Sequence, residues 1–140
     1  MRKRFGYLKD PLFLACLIGY AVNRFLLKPN FDWRFLHEHL NDLICIPFWL
    51  PIMLWTQRAI GLRDHDGPPT VIEIVIPLIA WSWAFEIWLP GTGWFGQWCT
   101  GDPVDVLAYA AGAFGAAIFW RWRYEAAVAS PSTSVAQRVI

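Results

Sequence analysis

Charged and amide side chains beside long apolar runs are where this sequence could do chemistry. A charge at the middle of a membrane helix costs about 2.5–3.5 kcal/mol on insertion scales, so such groups persist by reaching water, by pairing or by serving a function. Asn23 and Arg24 close the first apolar run, Asn41 and Asp42 open the second, Glu86 lies near the end of the third, and Asp102 and Asp105 open the fourth. In an up-and-down arrangement of these runs, all of these groups fall at one level of the membrane. The candidate ligand-binding set is therefore Arg24, Asn41, Asp42, Glu86, Asp102, Asp105 and Tyr109. Crowded carboxylates suit a cation or a polar headgroup, with Arg24 expected to sit near Glu86 and offset part of their charge. Helix capping competes with this reading, because acids at helix N-termini satisfy free N–H groups and complement the dipole. Capping explains Asp42 and Asp102 equally well. It explains Asp105 less well, since that residue lies one turn inside its run.

Spacing sharpens the case for the fourth run. Asp105, Ala108, Tyr109, Gly112, Gly115 and Ala116 fall on one helical stripe rich in small residues, which lets another helix approach closely and turns Asp105 inward. Cys16, Gly19 and Asn23 share a face on the first run, as do Ser82 and Glu86 on the third. His37-Glu38-His39 has the look of a metal pair, but a two-residue helical spacing separates the rings by about 200° and no third ligand is adjacent. No metal or cofactor is expected. Glu73, with Arg58, Arg63, Asp64 and His65 nearby, is explained by an ion pair. No nucleophile elbow, phosphate loop, His-Glu-Xaa-Xaa-His or paired CxxC is present, so an enzyme is the less favoured class.

The elements that must position these residues follow from composition. The 140-residue chain is 56% hydrophobic and 16% charged, against about 25% charged in soluble domains. Lipid is the solvent this implies. A net charge of +1 with no basic stripe argues against nucleic acid. Cys16, Cys45 and Cys99 lack metal spacing and read as reduced apolar side chains. Spans are predicted at 11–27, 40–55, 71–89 and 104–120, each near the roughly 20 residues that cross the hydrocarbon. Pro47 and Pro51 should bend the second. The first is read as an uncleaved helix, not a signal peptide.

Orientation follows from the basic residues. Arg2, Lys3, Arg4 and Lys9 precede the first span, Arg58 and Arg63 follow the second, and Arg121 and Arg123 follow the fourth, whereas 90–103 carries neither Lys nor Arg. The prediction is an all-α integral membrane protein, a four-helix transmembrane bundle with short loops and both termini cytoplasmic, in a bacterial-type inner membrane. Trp55, Trp120 and Trp122 should mark the inner boundary, and Trp33, Trp88, Trp94 and Trp98 the outer. Residues 31–40 read as a short interfacial helix, 1–125 as one membrane domain and 126–140 as a disordered tail.

Two stretches resemble the VanZ-like family of small bacterial membrane proteins. Asn41-Asp42-Leu43-Ile44-Cys45-Ile46-Pro47-Phe48 is similar to the family's asparagine-led motif ending in Phe-Ile-Pro-Phe/Leu-Gly, with Trp49 in the glycine position. Glu86, followed by Asp102-Pro103-Val104-Asp105-Val106-Leu107-Ala108-Tyr109-Ala110-Ala111-Gly112, resembles the family's Glu and Asp-Val-Xaa-Xaa-Asn-Xaa-Xaa-Gly. The family's glutamine after the glutamate and its loop arginine are missing, Gln97 being the nearest polar residue, and Tyr109 replaces asparagine. The resemblance implies an envelope location and this polar cluster; together with the outer acidic pocket read from the residues, the expectation is an envelope protein that engages a polar or amphiphilic ligand such as an antibiotic, lipid headgroup or cell-wall precursor. The alternative from a different class is a noncatalytic accessory subunit packed against a larger membrane complex.

Overall fold

The computed structural model describes residues 4–97 and 101–125. The expectations for Arg2, Lys3, Trp98, Cys99 and the tail from Ala126 lie outside the described residues. Among those described, all regular structure is helical. A 3₁₀ turn at Tyr7–Lys9 leads into α1 (Pro11–Asn30). Short α2 (Arg34–Glu38) joins it to α3 (Leu40–Ala59), and α4 (Val71–Trp88) and α5 (Pro103–Glu125) follow. The four long helices run alternately up and down, so a helix appears, in order, at each place where a span was predicted.

Local chemistry accounts for each boundary. Asp10 caps α1 by accepting from the N–H groups of Leu12 and Phe13, with Pro11 at the first helical position where its missing N–H is harmless. Thr70 and Glu73 form a reciprocal capping box at the start of α4. α3 ends in a glycine stop. Gly61 takes a left-handed φ of +79°, and the N–H of Leu62 reaches back to Gln57 O at 2.9 Å. α1 and α4 each loosen into a π-helical turn near the same end of the bundle, at Asn23–Leu27 and Ala84–Trp88.

α3 is the centre of the molecule and packs chiefly against α5 and α1. Ile46, Leu50 and Leu54 on α3 are buried with Tyr109, Ala113, Ala116 and Trp120 on α5. The helix continues through Pro47 and Pro51, both buried, so the expected bend does not interrupt it. Pro47 has no N–H for the carbonyl of Leu43. A Cβ placed on Gly112 would overlap that same carbonyl oxygen. The missing side chain therefore lets the α5 backbone approach the carbonyl that the proline has freed, a recurring type of close helix contact.

The outside of the bundle is apolar. Ile18, Phe25, Ile79, Leu107 and Phe114 are all more than 60% exposed, an arrangement that water penalises and lipid does not. α1, α4 and α5 are long and apolar enough to cross a membrane. The second predicted span stands apart from these three: α3 is 20 residues long, but Asn41, Asp42, Thr56, Gln57 and Arg58 shorten its apolar stretch. Protein instead of lipid covers most of its middle, which lowers the hydropathy it requires. Trp120 is one correction. It was expected at the lipid interface and is 1% exposed in the core, whereas Trp33, Trp55, Trp88, Trp94 and Trp122 are exposed. Gly115, placed on the inward stripe of the fourth run by spacing, is exposed, and a Cβ added to it would meet no neighbouring element.

Candidate functional site

The polar groups separate into two clusters, one at each end of the bundle. The first is where α1 and α4 begin and α3 and α5 end. Asp10, fully buried, accepts from Trp120 Nε1 at 3.0 Å and from the Tyr124 hydroxyl at 2.6 Å, besides capping α1. Arg63, 3% exposed, donates to Glu73 at 2.8 Å, to the Tyr7 hydroxyl at 2.6 Å and to the carbonyls of His65 and Gly67. Tyr7 in turn donates to Asp66, which also receives Arg4 at 2.6 Å and Arg58 at 2.9 Å. Three donors hold the Asp66 carboxyl down at about 2, the Arg4 hydrogen bond contributing most. The ion pair expected for Glu73 is present. Asp10, Tyr7 and Tyr124 were not recognised as a network, although Asp10-Pro11 carries a legible cap signature. Each buried polar group here is satisfied by several partners, as a structural clasp requires.

The second cluster lies at the opposite end, where the sequence set was expected to converge. Asn23, fully buried in the π-helical turn of α1, donates from Nδ2 to Asn41 Oδ1 at 3.2 Å. Asp42, in the first turn of α3, shares the cleft wall with Tyr109, and its carboxylate lies within 4.8 Å of that of Asp105. Asp42 is thus turned into the bundle, and the N-cap position of α3 belongs to His39. His39 Nδ1 lies 3.1 Å from Asp105 Oδ1. Glu86, in the π-helical turn of α4, accepts from the backbone N–H of Asp102 at 2.6 Å and is close enough to Asp105 for the two charges to interact. Asp102 accepts from Val104 N–H at 2.9 Å and so caps the start of α5. Wider π-helical turns often accompany functional sites, and the two among the described residues each carry a polar member of this cluster.

Asn41, Asp42, Glu86, Asp102, Asp105 and Tyr109 are therefore gathered at one end. Arg24 is not. Its side chain is exposed and makes no hydrogen bond or ion pair among the described residues, because position 24 follows the inward-facing Asn23 and points to the outer flank of α1. The positively ionisable neighbour of Asp105 is His39, which sequence reasoning set aside together with His37. His37 turns away to the carbonyl of Phe31 at 2.9 Å. The legible signal was the spacing of His39 and Asp42, three residues apart and hence on one helix face.

A cleft of about 700 Å³ extends from this cluster along the bundle. Asn41, Asp42 and Tyr109 form its polar end, and Phe48, Trp49 and Phe85 form apolar walls. Tyr20, Trp49 and Phe85 are themselves 45%, 44% and 39% exposed, so the cleft opens on the flank of the helices. Trp81 braces the wall by edge-on contacts to Trp49 and Phe85, with ring centres 6.3 and 5.8 Å apart. A head of hydrogen-bonding groups joined to an aromatic trough can hold a molecule that is polar at one end and apolar at the other. No family model matches the chain, and no curated protein or solved structure matches it.

Proposed function

We propose that the chain is a four-span protein of a bacterial-type inner membrane, both termini cytoplasmic, that binds an amphiphile in the flank cleft. The tail lies against Phe48, Trp49 and Phe85, and the headgroup meets Asn41, Asp42 and Tyr109 on the outer side. The carrying observation is the union, in one cleft, of a carboxylate-bearing polar end with aromatic walls that open sideways. A cationic or amine-bearing headgroup complements the carboxylates. The VanZ-like resemblance belongs to this reading and rests on motif order, with Asn41, Asp42, Glu86, Asp102 and Asp105 all at this end.

Native mass spectrometry of the protein in mild detergent, with phosphatidylethanolamine or phosphatidylglycerol added, tests the binding. One retained phosphatidylethanolamine, lost in both Trp49→Ala and Asp42→Asn, is the expected result; equal retention by both variants sinks the proposal. Topology is tested in a Cys99→Ser background, where a cysteine at Thr92 should react with an impermeant reagent applied from outside and one at Asp64 should not. A second reading, the accessory subunit, is favoured by a groove of about 520 Å³ between α4 and α5 lined by Ile74, Leu78, Ala113 and Phe114. On that reading a partner protein copurifies in fixed ratio, and Phe114→Ser, at an exposed wall of the groove, releases it.

A further inference from the structure

We propose that His39, Asp42 and Asp105 form a binding site for a divalent transition-metal ion. The three come from separate places in the fold: the N-cap of α3, its first turn and the first turn of α5. One donor atom from each lies within 4.8 Å of the other two. Bonds of about 2.0–2.2 Å to a common ion place donor atoms roughly 3–3.5 Å apart, and His39 Nδ1 and Asp105 Oδ1 are already separated by 3.1 Å. Asp42 completes the set by a small side-chain adjustment.

The surroundings carry the argument beyond proximity. His39 turns its other ring nitrogen, Nε2, toward the Glu38 carboxylate, 3.7 Å away and beyond direct hydrogen-bonding distance, and Glu38 is itself held by Arg34 at 2.7 Å. Metal-bound histidines characteristically donate the N–H that does not face the ion to a carboxylate, and Glu38 is the carboxylate placed on that side. Charge points the same way. Asp66, Glu73 and Glu38 each have an arginine partner, whereas no lysine or arginine forms an ion pair with Asp42 or Asp105 among the described residues. A dication supplies what an arginine supplies elsewhere. His39 and Asp105 retain 21% and 22% side-chain exposure, which leaves a solvent route and room for water ligands.

One imidazole and two carboxylates select the ion. Mg²⁺ and Ca²⁺ favour all-oxygen sites, whereas an imidazole nitrogen shifts preference toward Zn²⁺, Mn²⁺ or Fe²⁺. The close approach of Gly112 to Leu43 sets the spacing of α3 and α5 just below the cluster, so the ligands are positioned by packed backbone. The inference does not depend on the amphiphile reading, although Asp42 belongs to both.

The experiment is equilibrium dialysis of chelator-treated, full-length protein in nanodiscs against Zn²⁺ or Mn²⁺ alone, with Mg²⁺ as comparator and bound metal read by mass spectrometry. One Zn²⁺ per chain, weakened about tenfold or more by His39→Ala and by Asp105→Asn and unaffected by His37→Ala, is the expected outcome. Absence of saturable 1:1 binding overturns the site, as does binding by His39→Ala and Asp105→Asn as tight as that of the unaltered protein. Co²⁺ bound to the unaltered protein gives a readout independent of variant folding: visible absorption bands abolished by stoichiometric Zn²⁺ support the site, and their absence overturns it. Trp49→Ala should bind Zn²⁺ normally while losing the lipid, so failure of one proposal is distinguishable from failure of the other.

Discussion

The two ends of the bundle handle buried charge in opposite ways. At the Asp10 end every buried polar group is surrounded by donors or acceptors of the complementary kind: Asp10 receives two backbone N–H groups, an indole and a phenol, and Arg63 faces Glu73, Tyr7 and several carbonyls. At the Asp105 end two half-buried carboxylates face one another with a tyrosine and a histidine between the helices, and arginine is absent from the pairing. Saturation of partners is what a structural network needs, because an unmatched buried group is costly. Unsaturated carboxylates at a cleft mouth retain capacity for something that binds. The acids of the two ends look alike in the sequence, and their partners distinguish them.

The largest effect is expected at the clasp. Asp10→Ala removes a helix cap and leaves Trp120 Nε1 and the Tyr124 hydroxyl buried without an acceptor. It should destabilise the protein by about 3–5 kcal/mol in reversible unfolding in mixed micelles, the range for a broken buried network. A loss below about 1 kcal/mol would erase the contrast between the ends. Gly112→Ala comes next, at about 1–3 kcal/mol, since its methyl group meets backbone and not a movable side chain. Gly115→Ala, in open space on the same helix, is the matched control and should be neutral or slightly stabilising.

Acid should loosen the clasp before the core. Asp66 has a folded value near 2 against an ordinary value of 3.8, so its contribution is complete above about pH 4 and is lost as pH falls toward 2. Hydrogen exchange in 62–67 should accelerate over that interval, and Asp66→Asn should flatten the response. The smallest stability effect is expected for Asp105→Asn, under about 1 kcal/mol because the group is partly solvated. Its consequence should appear in Zn²⁺ binding. If it instead destabilises as strongly as Asp10→Ala, the Asp105 cluster is a second clasp.

Helix number, order and the level of the polar groups were readable from the chain, because each depends on local composition: apolar run length, cap residues and the clustering of Asn, Asp and Glu at run ends. The helical faces were readable in part. Cys16 and Asn23 are buried on the inward seam of α1, whereas a Cβ on Gly19 would meet no neighbour; Tyr109, Gly112 and Ala116 do face inward on α5, whereas Gly115 does not. A 3.6-residue period defines a face about 100° wide, and only the position of the neighbouring helix decides which edge of that face is covered. Tertiary structure alone decided that α3 would be enclosed by the other helices, that Trp120 would turn inward to Asp10, and that Arg24 would point away from the acids. It also brought His39 to Asp105 across 66 residues of sequence. Those outcomes depend on which helices lie side by side and at what separation. That is settled by contacts such as Gly112 against the Leu43 carbonyl, where two distant positions must fit one another and neither signals the other along the chain.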